Sequence, residues 1–88
     1  MKVLGYEVSK EQLEACQAVM RRPRFNINTL TVEAEHAGIP QRIEVKGKHP
    51  DHVRSEALAD RVADRLIQKA RKEGKIVRSG RDWVPSDS

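Results

Sequence analysis

Between Leu58 and Ala70 the apolar residues return at helical spacing, and no other stretch limits the fold as much. At about 100° per residue, Leu58, Ala59, Val62, Ala63, Leu66 and Ala70 fall within about 140° of one another, wide enough to serve as the core face of one helix. The pattern predicts a helix from about Ser55, or from Asp51 as its cap, to Glu73, with Gly74 ending it. Its outer face is not mixed. Arg54, Arg61, Arg65, Lys69 and Lys72 gather in a neighbouring sector of about 80°, and Asp60 and Asp64 lie beyond it with Arg71. A helix that is merely solvated would interleave the two signs as pairs four residues apart.

After Gly74 come Lys75-Ile76-Val77-Arg78, then Ser79-Gly80, then Arg81-Asp82-Trp83-Val84. Two β-prone runs around a Ser-Gly pair predict a hairpin. The charge follows this segment. Residues 1–40 hold five Lys/Arg and five Glu, a sum of zero, whereas residues 41–88 hold twelve Lys/Arg and eight Asp/Glu, which supplies the whole +4. From 65 to 81 the basic residues are Arg65, Lys69, Arg71, Lys72, Lys75, Arg78 and Arg81, against Glu73 alone. A local cationic patch bears on polyanionic partners, not on fold.

The rest of the chain fits around that helix. Ser9 and Gln12 form a capping pair, with Val8 and Leu13 placed to staple across it. Leu13, Cys16 and Met20 make an apolar stripe with Ala15 and Val19 beside it, and the helix should stop before Pro23. Phe25 to Pro40 is ambiguous, because Phe25, Ile27, Thr29 and Thr31 favour a strand. Ile27, Leu30, Ala34 and Ala37 nevertheless lie at helical spacing, so a helix is expected from about Thr29 to Ala37, capped by Asn28 or Thr29 and ended by Gly38 and Pro40. Gln41 to Asp51 reads as a long polar loop, with at most a brief strand at Ile43-Glu44-Val45. Residues 1–8 are a lead-in with room for a short edge strand, and 86–88 a disordered tail.

With 88 residues, the chain from 9 to 85 is expected to be one domain, and only Tyr6, Phe25 and Trp83 are aromatic. A core of Leu, Ile, Val and Ala suits a mainly helical α+β fold. One cysteine, Cys16, forms no internal disulfide, and its place on an apolar stripe reads as a buried thiol. No apolar run approaches the ~20 residues of a membrane span. The start of the chain is too short and acidic for a signal peptide, so the expected location is cytoplasmic and no membrane partner is expected.

Helix, helix ending at Ala37-Gly38-Ile39-Pro40, then Asp64-Arg65-Leu66-Ile67-Gln68-Lys69-Ala70-Arg71-Lys72-Glu73-Gly74-Lys75-Ile76 and a hairpin: this order resembles a bacterial winged-helix domain over about residues 9–85. The resemblance implies three helices with a C-terminal β-hairpin wing. It implies duplex DNA as partner, the third helix entering the major groove and the wing touching a neighbouring groove or the backbone. Carried across, the DNA-binding residues are Arg54, Arg61, Arg65, Gln68, Lys69 and Lys72 on the helix. Lys75, Arg78, Ser79 and Arg81 follow on the wing. Arginine forks onto guanine and glutamine onto adenine, and the remaining cations neutralise phosphates. The departure from the family pattern is the 41–51 loop, where a compact helix-turn-helix has a short turn.

Other readings stand beside this one. The alternative reading of the cationic sector is a solvated face, and winged-helix domains also serve as protein-protein modules, here with Leu30, Val32 and the 41–51 loop at an interface. Trp83 reads as packing under the wing or against the third helix. His49-Pro50-Asp51-His52 pairs two imidazoles without further ligands, and Glu33-Ala34-Glu35-His36 has a di-iron spacing that needs several such helices. No nucleophile-base pair, phosphate loop or carboxylate pair marks an enzyme, and no metal or cofactor is expected. Nothing in the sequence marks a dimer seam.

Overall fold

The computed structural model describes residues 1–47, 51 and 53–86. Its elements in chain order are β1 (Lys2–Val3), β2 (Tyr6–Glu7), α1 (Lys10–Met20), α2 (Ile27–His36), β3 (Ile43–Lys46), β4 (Val53–Glu56), α3 (Leu58–Lys72), β5 (Ile76–Ser79) and β6 (Asp82–Pro85). Among the described residues the named strands pair as three antiparallel two-stranded hairpins, each joining sequence neighbours. The fold is a small α+β unit of three helices and three short hairpins.

Helix α1 begins where the capping pair places it. The Ser9 hydroxyl accepts from the Gln12 amide at 3.1 Å, and the Ser9 amide donates to Gln12 Oε1 at 3.0 Å. The same Gln12 donates through Nε2 to the Tyr6 hydroxyl at 3.0 Å, tying β2 to the helix start. The apolar stripe buries Cys16 and Val19, with Leu13 and Met20 half-buried against them. Burial raises the Cys16 thiol above its ordinary pKa, and the nearby Glu33 charge adds to the shift.

Helix α2 starts earlier than expected. Its cap is Asn26, not Asn28 or Thr29, and Asn26 Oδ1 accepts from the Thr29 amide at 2.8 Å and the Thr29 hydroxyl at 3.1 Å. Phe25 just before it is extended and bridges to Trp83, with N–H to carbonyl distances of 3.0 and 2.7 Å in the two directions. The strand-favouring residues thus divide: Phe25 takes the extended role, and Ile27, Thr29 and Thr31 join a helix that buries Leu30 and Ala34 completely. Replacing Asn26 with alanine should cost about 1 kcal/mol, read as a lower urea midpoint at unchanged slope. No change would mean that the cap bonds hold nothing that water does not replace.

The brief strand expected at Ile43-Glu44-Val45 forms as β3 and pairs with β4, just before α3. Ile43 faces Glu56, Glu44 faces Ser55, Val45 faces Arg54 and Lys46 faces Val53. The third helix therefore begins at Leu58, not at Asp51 or Ser55. Asp51 is an exposed turn residue rather than a cap, while His49, Pro50 and His52 lie outside the described residues. Ala57 supplies no side-chain cap to α3. What holds the helix is tertiary burial, with Leu58, Ala59, Val62, Ala63, Leu66, Ile67 and Ala70 all in the core.

Helix α3 ends in the bond pattern of a Schellman motif. The Lys75 amide reaches the Ala70 carbonyl at 2.9 Å and the Gly74 amide reaches Arg71 at 3.1 Å, which requires the left-handed φ of +74° that Gly74 adopts. The final hairpin pairs Ser79 with Asp82, so its turn is Gly80-Arg81 rather than Ser79-Gly80. Gly80 at φ +63° fits the first central position of a type II′ turn. Trp83 is half-buried against the core, and the Arg78 guanidinium lies over its ring, 5.8 Å from the centroid. Pro85 belongs to β6, and the Ser86 amide donates to the Lys75 carbonyl at 2.9 Å. Ser86 is thus held to Lys75, the residue before β5, and Asp87 and Ser88 lie outside the described residues.

Candidate nucleic-acid interface

Helix α3 sits on the core through one half of its circumference and exposes the other. At about 100° per residue, Gln68 and Arg61 lie within about 30° of the direction opposite the core, with Lys72 next to them. Arg65 and Lys69 stand further round on one flank, Asp60, Asp64 and Arg71 on the other side. All of these side chains are exposed. Charge on the helix surface is therefore graded from acidic to basic across its width.

The cationic flank meets the N-terminal hairpin. Arg65 Nη1 donates to the Lys2 carbonyl at 3.2 Å, and Val3 beside it is buried in the core. Between the β1–β2 turn and the helix runs an open cleft of about 450 Å³, lined by Val3, Leu4, Arg61, Asp64, Arg65, Gln68, Lys69 and Lys72. The turn is made by Leu4 at φ +51° and Gly5 at φ +82°. Positive φ at both central residues marks a type I′ turn; for a leucine this conformation costs on the order of 1 kcal/mol.

The remaining candidates fall in two places. Arg54 is not on the third helix but on β4, where its Nε lies 3.7 Å from Glu56. The other oxygen of Glu56 lies 3.8 Å from Arg61 Nη2, so one carboxylate stands between the two guanidinium groups and links the second hairpin to α3. Lys75, Arg78, Ser79 and Arg81 are exposed beyond the C-terminal end of α3. Lys75 Nζ pairs with Glu73 at 2.9 Å, which lowers the Glu73 carboxyl below its ordinary pKa through the hydrogen bond and the charge. Arg78 Nε donates to the Gly80 carbonyl at 3.1 Å, bending its side chain back over the turn.

The fold thus joins Arg61, Arg65, Gln68, Lys69 and Lys72 on one surface, puts Lys75, Arg78, Ser79 and Arg81 at its far end, and separates Arg54 onto a strand. Two contributors escape a reading of the sequence. One is the Lys2 backbone, whose role is a main-chain carbonyl and leaves no composition signal. The other is the Leu4-Gly5 turn, for which Gly between the β-prone Val3 and Tyr6 is a usable hairpin signal.

A second groove of about 890 Å³ runs between α1, α3 and β5, lined in part by Leu13, Met20, Leu66, Ile76 and Pro85. Leu30, expected at an interface, is fully buried, whereas Val32 is exposed. Among the described residues no three His, Cys, Asp or Glu side chains assemble into a metal-holding group, and no helix is long and apolar enough to cross a membrane. No family model matches the chain, and no curated protein or solved structure matches it significantly.

Proposed function

We propose that the chain is a small winged-helix DNA-binding protein, a transcriptional or mobile-element regulator that contacts duplex DNA with α3 and the β5–β6 wing. The observation that carries this reading is the exposed surface of Arg61, Arg65, Gln68, Lys69 and Lys72 along α3, with the exposed Arg78 and Arg81 following in the chain on the β5–β6 hairpin. Among the described residues, the side chains of Gln68 and Lys72 have no hydrogen-bond or ion-pair partner, so their polar ends are available without breaking an interaction.

The topology supports the winged-helix reading. The Phe25–Trp83 bridge adds a third extended segment to β6 and β5, and Arg24 pairs with Asp82 at 3.4 Å. The wing is thereby anchored to the α1–α2 connection, as a wing must be if it is to hold a fixed angle to the helix. The departure is the β3–β4 hairpin between α2 and α3. The two helices still pack directly on each other, with Leu30 and Ala34 buried on α2 and Ala59, Ala63 and Ile67 buried on α3.

On this geometry Gln68, which points most directly away from the core, reaches base edges. Arg61, Arg65, Lys69 and Lys72 neutralise phosphates. If about four phosphates are engaged, log affinity for duplex DNA falls with log salt at a slope near −3.6. Titration of a labelled duplex across a salt series measures it, and no binding to any duplex at ~50 mM salt would refute the reading. The competing reading, a protein-interaction module, draws on the groove between α1, α3 and β5. It predicts that duplex binding is absent or insensitive to charge changes on α3.

A further inference from the structure

Resting on the DNA-binding reading, we infer that the N-terminal hairpin is a backbone clamp: a phosphodiester strand runs in the cleft between the Leu4-Gly5 turn and the cationic flank of α3. The charge gradient across α3 sets the direction. Asp60 and Asp64, with Arg71 between them, lie on one side of the outward-facing Gln68, and Arg61, Lys72, Arg65 and Lys69 on the other. A polyanion facing this helix is repelled by the first side and attracted by the second, so the helix rolls toward its basic flank. That flank is where β1 lies, tied by the bond from Arg65 to the Lys2 carbonyl.

The roll brings a phosphate to the mouth of the 450 Å³ cleft. Arg61, Arg65, Lys69 and Lys72 then form one wall and Leu4 the other, with Asp64 the only acidic side chain in the lining. The exposed Lys2 side chain extends the cationic surface onto β1. Leu4 is 36% exposed and held at a backbone conformation unusual for leucine, which keeps the turn tight and its tip close to the helix.

The test titrates Lys2→Gln, Leu4→Glu and Leu4→Asn against the same labelled duplex as the wild-type chain, with a thermal melt on each. Lys2→Gln avoids placing a carboxylate opposite Glu7, its cross-strand partner. It should weaken binding about tenfold at ~50 mM salt and reduce the magnitude of the salt slope by about 0.9. Leu4→Glu should weaken binding at least as much, and Leu4→Asn, which keeps the left-handed turn without adding charge, should weaken it less than Leu4→Glu does. If Lys2→Gln and folded Leu4→Glu both bind with wild-type affinity and slope, the clamp is overturned while the α3 reading stands. Should Leu4→Glu fail to fold, Lys2→Gln decides alone. A wild-type chain that binds no duplex overturns clamp and function together.

Discussion

Changing Arg61 and Arg65 together to glutamate should reduce affinity for duplex DNA by more than ~100-fold at ~50 mM salt. With two of about four phosphates no longer neutralised, the salt slope halves, from near −3.6 to near −1.8. At ~50 mM salt that change alone is roughly two decades, about 2.7 kcal/mol, before repulsion by the new carboxylates is added. The fold should tolerate the change, because both side chains are exposed. Their partners in the folded chain are Glu56, through one long ion pair, and the Lys2 carbonyl, through one hydrogen bond, and exposed pairs of this kind contribute little. A double variant that folds and keeps both its affinity and its slope would move the binding surface off this face of α3.

How far the molecule can be read from its sequence follows from which interactions carry a local signature. Helix α1 is legible because Ser9 and Gln12 announce its start within four residues. The cationic surface of α3 is legible because helical periodicity converts residue positions into directions. By contrast, β4 is hard to see: Val53-Arg54-Ser55-Glu56 has one apolar residue and acquires strand structure only from β3 across the hairpin. Helical spacing alone therefore puts Arg54 on the helix that follows it. The start of α2 is likewise set from a distance, since Phe25 is held extended by Trp83, and Asn26 is the first residue then free to cap. The two-residue strands β1 and β2 are too short for any periodicity to show. The cleft depends on them, so half of the candidate site rests on pairings that leave almost no local trace.

Leu30→Ala separates the two roles open to that residue in the sequence, interface contact and core. Leu30 is fully buried in the middle of α2, which packs on α3. Truncating a buried leucine costs about 3 kcal/mol, through lost transfer energy and the cavity left behind. For a chain of this size that lowers the melting temperature by about 12–24 °C, a large part of a stability on the order of 4–13 kcal/mol. Val32 on the same helix is 46% exposed, and Val32→Ala should move the melt by less than about 0.5 kcal/mol in stability. Below its own melting temperature the Leu30→Ala chain should bind duplex DNA as wild type does, because no atom of Leu30 reaches the surface that α3 presents. A wild-type melt for Leu30→Ala would mean that α2 does not pack as described, and with it the orientation of α3 and every direction assigned to its charged residues would have to be redrawn.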